Sequence, residues 1–463
     1  MITSVGLAAA AIFAGVSGAA PGHPAPSEAA TPGVRCDRGS MPEKEQGRAP
    51  AEDYNDGRAA KGYYCNAREV AHFGSTAGGY RVERYVDKAG HVCGYYDSTL
   101  LFPTDASNQG TMGPGVYVLD MTSVQRPVLT QTLKTPAMLS PHESLRLNQK
   151  RGLLVADMGY PTFQPGFVDI YDVSKDCRNP HLDASLPIGI LGHESGFAPD
   201  GKTFYVANPG GSMAAIDLTD PTHPGYLWSS FDYKPHGVSL SNDGNTLFMA
   251  DLGSSHGLTI LDVSQIQQRK SNPTVKVLAH LVWPDVSIPQ NATPFVEGKH
   301  HFLIEADEFG GGSSPVGAAR IINIDNVKHP YVASNLRLEV NNHPAETSDP
   351  GDGGVLQGYQ AHYCSTPSRI NPTIVACSFI MSGLRVFDIR NPYHPREVAY
   401  FNKPLMPSGN QFKEGSFAMS APAYDAARND IWYTDGETGF WVVHLTAGSG
   451  IKHFAQKYYL PGN

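Results

Sequence analysis

The chain carries no Lys/Arg block and no basic stripe; only 17 % of its 463 residues are charged, with a net charge of −9. Binding to a nucleic-acid backbone needs clustered cations, so that class of function is excluded at the outset. No Cys-x-x-Cys occurs, which removes thiol redox motifs and cysteine-zinc knuckles. Gly-rich stretches do not follow a strand and open a helix, so no phosphate cradle is implied. No G-x-S-x-G elbow is present. Long helical periodicity is also lacking. The one long apolar run is Val5–Ala20, of signal-peptide length but with no Lys or Arg before it; Pro21–Pro32 follows as a Pro/Ala-rich linker.

What is present is punctuation and short strands. Glycine (48) and proline (36) are plentiful, as many tight turns require. Apolar runs ending in Asp recur at Asp120, Asp172, Asp217, Asp262, Asp325 and Asp388, with a degenerate copy at His444; the spacings are 52, 45, 45, 63, 63 and 56 residues. A second run precedes each, ending at Asp97, Asp157, Asn208, Asp251, Asp307, Cys377 and Asp435. Turn formers such as Pro199-Asp200-Gly201 and Asn242-Asp243-Gly244 precede several of these. One such unit has the length of a four-stranded propeller blade. Stacking buries both faces of each small sheet, and ring closure leaves none bare.

The expected fold is therefore all-β, a seven-bladed β-propeller closed by an N-terminal strand, with Ala67–Phe73 completing the last blade. The expected organisation is an export segment and linker over 1–32, an extended arm over 33–64, and one propeller over 65–463. Six cysteines fit an oxidising, secreted or extracytoplasmic setting and allow 15 full pairings. Cys364 and Cys377 fall on neighbouring strands, and a Cys36–Cys65 bond would pin the N-terminal segment.

The units GLTILDVS, GLRVFDIRNPYHPREVAYF and AIDLTDPTHPG resemble the LVIVD-repeat proteins, bacterial and archaeal β-propellers that are often exported. The resemblance covers roughly residues 65–446. It implies the fold and is nearly silent on function.

Chemistry enters through phase. Fifteen residues before the end of the second strand lie His142, His193, His236 and His362, in the contexts PHESL, GHESG, PHGVS and AHYCS. That position opens the innermost strand, so four blades would deliver imidazoles to one end of the propeller axis. Imidazole suits copper, iron, zinc and nickel. The expected cofactor is one transition metal ion, copper or iron ahead of zinc. Glu143, Glu194, His256, Glu305, Asp307 and Glu308 are the expected surrounding or pocket residues. Glu143 and Glu194 directly follow their histidines, and strand alternation would turn them away from the metal. Blade five offers Ala292 at this phase and blade seven Ser420 or Met419. Gly159–Gly166, Gly253–Gly257 and Phe309–Gly317 would wall a pocket on the same face. The connection Leu336–Ala361, with His343, Glu346, Asp349 and Asp352, is a surface loop or a calcium site that lacks full EF-hand spacing.

The arrangement looks like carotenoid-cleaving oxygenases, which hold iron with four histidines, and like selenium-binding proteins acting as copper-dependent methanethiol oxidases. The likeness is of geometry, since neither full motif set is present. It implies a metal-dependent oxidoreductase with a small-molecule substrate. The competing reading is a non-catalytic secreted scaffold for a protein, glycan or envelope component, its histidines bonded to neighbouring backbone carbonyls. A metal-dependent hydrolase is disfavoured by the dominance of histidine. Neither a nucleic-acid partner nor an integral membrane location after processing is expected.

Overall fold

The computed structural model describes residues 27–74, 78–98, 114–159, 166–253, 255–284, 286–308, 317–342, 348–351, 358–405 and 415–455. The segment Val5–Ala20, the loop tips 160–165 and 309–316, and His343, Glu346 and Asp352 lie outside them.

Seven antiparallel sheets of four strands follow one another, one of them carrying a fifth strand. Blade one uses Val82–Val86, Val92–Asp97, Val116–Asp120 and Val128–Leu133. Blade seven takes three strands from the end of the chain, and its outer strand is Ala67–Phe73, paired with Gly439–Leu445. The N-terminal strand thus closes the ring. Each blade interface holds its own apolar cluster, seven in all. The cluster joining blade seven to blade one packs Trp432, Phe440 and Val442 against Tyr96, Tyr117 and Leu119. The core is therefore distributed between sheets, as stacking of two-faced blades requires.

The recurrent Asp has a local cause. Five of the six accept the backbone N–H two residues on: Asp120 from Thr122 (2.9 Å), Asp172 from Ser174 (2.7 Å), Asp217 from Thr219 (2.9 Å), Asp262 from Ser264 (2.9 Å) and Asp388 from Arg390 (3.1 Å). In blade five Asn323 takes this role, accepting from Asp325. These Asx turns end the third strand and begin the reversal to the outer one. Four boundaries differ from the sequence reading. The second strand of blade five runs on to Glu308, and that of blade six to Phe379. The third strands of blades five and seven end at Asn323 and Leu445.

The arm over 33–64 is not simply extended. It contains the short helix Ala51–Asn55, and Tyr63–Cys65 adds a fifth strand to blade six by pairing with Arg396–Asn402. Arg385, fully buried, pairs with Glu43 of the arm (2.7 Å) and with Glu397 (3.1 Å). Disulfides join Cys36–Cys65, Cys93–Cys177 and Cys364–Cys377. No helix among the described residues is long and apolar enough to cross a membrane.

Candidate metal centre

The inner strands of neighbouring blades start side by side, with parallel bridges at Glu194–Gly237 and Arg81–Ala421. His236 and His362 are each the second residue of an inner strand, Pro235–Leu240 and Ala361–Ser365; His142 and His193 lie just before the inner strands Arg146–Asn148 and Gly196–Phe197. A ring of parallel starts gathers these four side chains. All four are buried.

The ring centroids of His142 and His193 are 4.2 Å apart, and those of His193 and His236 are 4.4 Å apart. His193 Nε2 lies 3.1 Å from His236 Nε2. Glu308, at the end of the second strand of blade five, spans two imidazoles: Oε1 is 2.9 Å from His236 Nε2 and Oε2 is 2.9 Å from His362 Nε2. Glu143 lies between the remaining pairs, with Oε2 3.6 Å from His193 Nε2 and Oε1 3.5 Å from His362 Nε2. These buried His/Glu groups form clusters capable of coordinating a metal.

The backbone fixes the tautomers. His236 Nδ1 contacts the Gln290 carbonyl at 3.2 Å and His362 Nδ1 the Met419 carbonyl at 2.6 Å. A carbonyl only accepts, so each Nδ1 must be the donor and each Nε2 is turned inward. The backbone bond and the inward nitrogen belong to the same imidazole.

Electrostatics follow from burial. Burial drives His142 down to about 3, and the charge on His236 adds to this. Burial also opposes charge on His236, but the Glu308 carboxylate outweighs it and lifts the group to about 9. Burial alone would raise Glu308; His236 and His362 hold it at about 2. Burial pushes Glu143 up to about 7 against the pull of His236 and His362. His142 Nδ1 and Glu143 Oε2 are buried without a hydrogen-bond partner among the described residues. Such groups are costly unless something further binds them.

Several placements differ from strand alternation. His142 has φ +50° and sits in a turn, so Glu143 swings into the cluster beside it. Glu194 precedes its strand too and also stays in the cluster, its carboxylate grouped with Glu143 and His236 with ligand atoms all within 4.8 Å of one another. It accepts from Arg146 (3.0 Å), Arg81 and Asn291, directly beneath the histidines. The twin His-Glu-Ser motifs are tied together, with Ser144 Oγ donating to the His193 carbonyl at 3.0 Å and lying 2.9 Å from Ser195 Oγ. A Cβ on Gly237 would collide with the Glu194 carboxylate and the Gln290 carbonyl, so the PHG context keeps that approach open.

Other expected residues lie elsewhere. His256 is exposed and reaches the Ser287 carbonyl at 2.7 Å, outside the cluster. Glu305 and Asp307 face away and pair with Arg320. Asp349 is bound by Arg48 (3.0 Å) and by the Tyr359 hydroxyl (2.7 Å). Two contributors were missed. Tyr80 stacks on His142 at 4.6 Å and leans on His362 at 5.2 Å. Arg81 donates to the Glu143 carbonyl at 3.2 Å. Counting fifteen back from Asp97 lands on Val82, next to this pair; extending the phase into blade one would have found them.

No family model matches the chain, and no curated protein matches it. Among solved structures it is similar to Kuenenia stuttgartiensis hydrazine synthase, at 13 % identity and TM-score 0.46 over 78 % of this chain and 93 % of that one. It is similar to a chain of a mitotic checkpoint complex, at 11 % identity and TM-score 0.47 over 82 % and 94 %. It is similar also to a putative 6-phosphogluconolactonase from Bacteroides fragilis, at 12 % identity and TM-score 0.44 over 76 % and 92 %. Likenesses at this level transfer no residue, ligand or activity. The chain is a seven-bladed β-propeller with a buried His/Glu cluster at one end of its axis.

Proposed function

We propose that this is a secreted metalloprotein, an oxidoreductase whose single transition metal ion is held on the propeller axis by His142, His193, His236 and His362, with Glu308 and Glu143 completing the donor set. The observation that carries the reading is the 3.1 Å separation of the inward His193 and His236 nitrogens. Two nitrogens each about 2.0–2.1 Å from one ion lie about 2.9 Å apart at a right angle and about 3.3 Å apart at a tetrahedral one. The observed gap falls between those limits. Mixed imidazole and carboxylate donors suit iron and copper, with zinc as the redox-silent alternative. An iron or copper ion would supply one-electron chemistry, and the chain would hold the donors and exclude water. The LVIVD-like repeats and three disulfides support export. In this reading residues 1–32 direct export, 33–64 form an arm, and 65–463 form the propeller.

Elemental analysis of protein purified without a His-tag or added metal tests this. About one equivalent of iron or copper is expected, lost in His193→Ala and His236→Ala. Equal metal content in both variants would overturn the ligand assignment. A redox-silent zinc, unaltered by ascorbate and dioxygen, would overturn the oxidoreductase.

A further inference from the structure

Beneath the metal cluster, on the side where the inner strands end, the axis opens into a cavity of about 450 Å³. Its wall includes residues of every blade, among them Arg81, Arg146, Ser239, Thr293, Arg369 and Tyr424. The volume is that of a small-molecule site.

The charges around it do not balance. Four guanidiniums (Arg81, Arg84, Arg146 and Arg369) line the cavity, and the carboxylates that meet them are Glu83, Asp425 and Glu194. Arg84 is taken by Asp425 at 3.2 Å. Arg81 and Arg146 share the one carboxylate of Glu194. Among the described residues Arg369 forms no ion pair; it donates through Nη1 to the Leu240 carbonyl at 2.7 Å and to Asn242 Oδ1 at 3.4 Å, and its Nε has no hydrogen-bond partner there. Arg369 is only 8 % exposed. A guanidinium so placed is costly, because burial strips its water and no carboxylate replaces it.

We propose that this cavity binds a small organic anion, its oxyanion head seated between Arg146 and Arg369. The planar guanidinium fork matches a carboxylate or phosphate better than a point charge does. Burial, followed by repulsion from Arg146, holds Arg369 down at about 10. Burial, followed by repulsion from Arg81, lowers Arg146 as well. An arriving anion relieves both. Glu83, raised to about 7 by burial, is the acidic group that would oppose it. The Arg81–Glu194–Arg146 layer links the cavity to the His/Glu cluster above it, and the anion site does not rest on the metal reading.

Isothermal titration calorimetry in low-chloride buffer provides the test, with succinate and inorganic phosphate as probes on the full chain. Saturable binding of either probe is expected, and whichever binds identifies the head group. Arg369→Gln should weaken it at least tenfold with metal content unchanged. Glu83→Gln should tighten it several-fold, an opposite sign that a structural role would not give and that remains measurable if the arginine variant fails to fold. Absence of binding by both probes would overturn the proposal. So would affinities unchanged in Arg369→Gln, or weakened in Glu83→Gln.

Discussion

Glu305, Asp307 and Glu308 are close neighbours on one strand of blade five, and all are buried, yet they belong to two different kinds of cluster. Glu305 and Asp307 turn to one face and meet Arg320, which lies over the Trp283 ring at 4.3 Å while Trp283 Nε1 donates to Asp307 at 2.9 Å. Glu308 turns to the other face and meets His236 and His362. Strand alternation alone makes this separation. The first cluster contains a permanent cation, since a guanidinium stays charged. The cations that Glu308 meets among the described residues are imidazoles, whose charge is exchangeable between a proton and a metal. A fixed cation makes a structural brace, and an exchangeable one makes a binding site.

The largest expected effect breaks the brace. Arg320→Ala strands two buried carboxylates and should cost about 3–5 kcal/mol of stability, read by chemical denaturation, while metal per folded protein stays unchanged. Metal loss in the folded variant would show that the two clusters are one unit. The next effect is in the other cluster. Glu308→Gln should weaken metal binding about 10–100-fold, measured by chelator competition, with a smaller change in denaturation midpoint.

The pH dependence sharpens the contrast. Without metal, His236 is raised to about 9, so its contribution to stability is complete below its ordinary value near 6.5 and fades as pH rises through 9. Glu308 is held at about 2, so its contribution is complete above its ordinary value near 4.5 and fades as pH falls through 2. Metal binding must displace the His236 proton. Affinity should therefore rise about tenfold per pH unit between about 7, above which Glu143 is already ionised, and 9, where one proton is exchanged for the ion. A flat profile across that window would contradict proton exchange at His236. The smallest effect is expected from Tyr80→Leu, which removes the face stacked on His142. Metal affinity should change only a few-fold, and a complete loss would give Tyr80 a direct role.

The repeat could be read in advance because Asp at a strand end acts locally, through an Asx turn two residues long. The phase of His142, His193 and His236 was equally legible, because a fixed offset from a strand end places residues at one height on the axis. His362 lies 17 residues before its strand end at Phe379 and matched only because the sequence pattern ended that strand at Cys377. Glu143 and Glu194 were misjudged, since alternation holds only inside a strand, both precede theirs, and His142 occupies a left-handed turn. Glu305, Asp307 and Glu308 were grouped because sequence proximity hides which face each residue takes. Glu308 also required knowing that the strand continues one residue past Asp307. The arm's fifth strand escaped notice because Tyr63–Cys65 has no repeat to mark it.

An anomalous diffraction map at the metal's absorption edge addresses the centre itself. One peak should appear about 2.0–2.2 Å from both His193 Nε2 and His236 Nε2, within reach of Glu308. A map without a peak there, with those two imidazoles hydrogen-bonded directly to each other, would contradict the assignment.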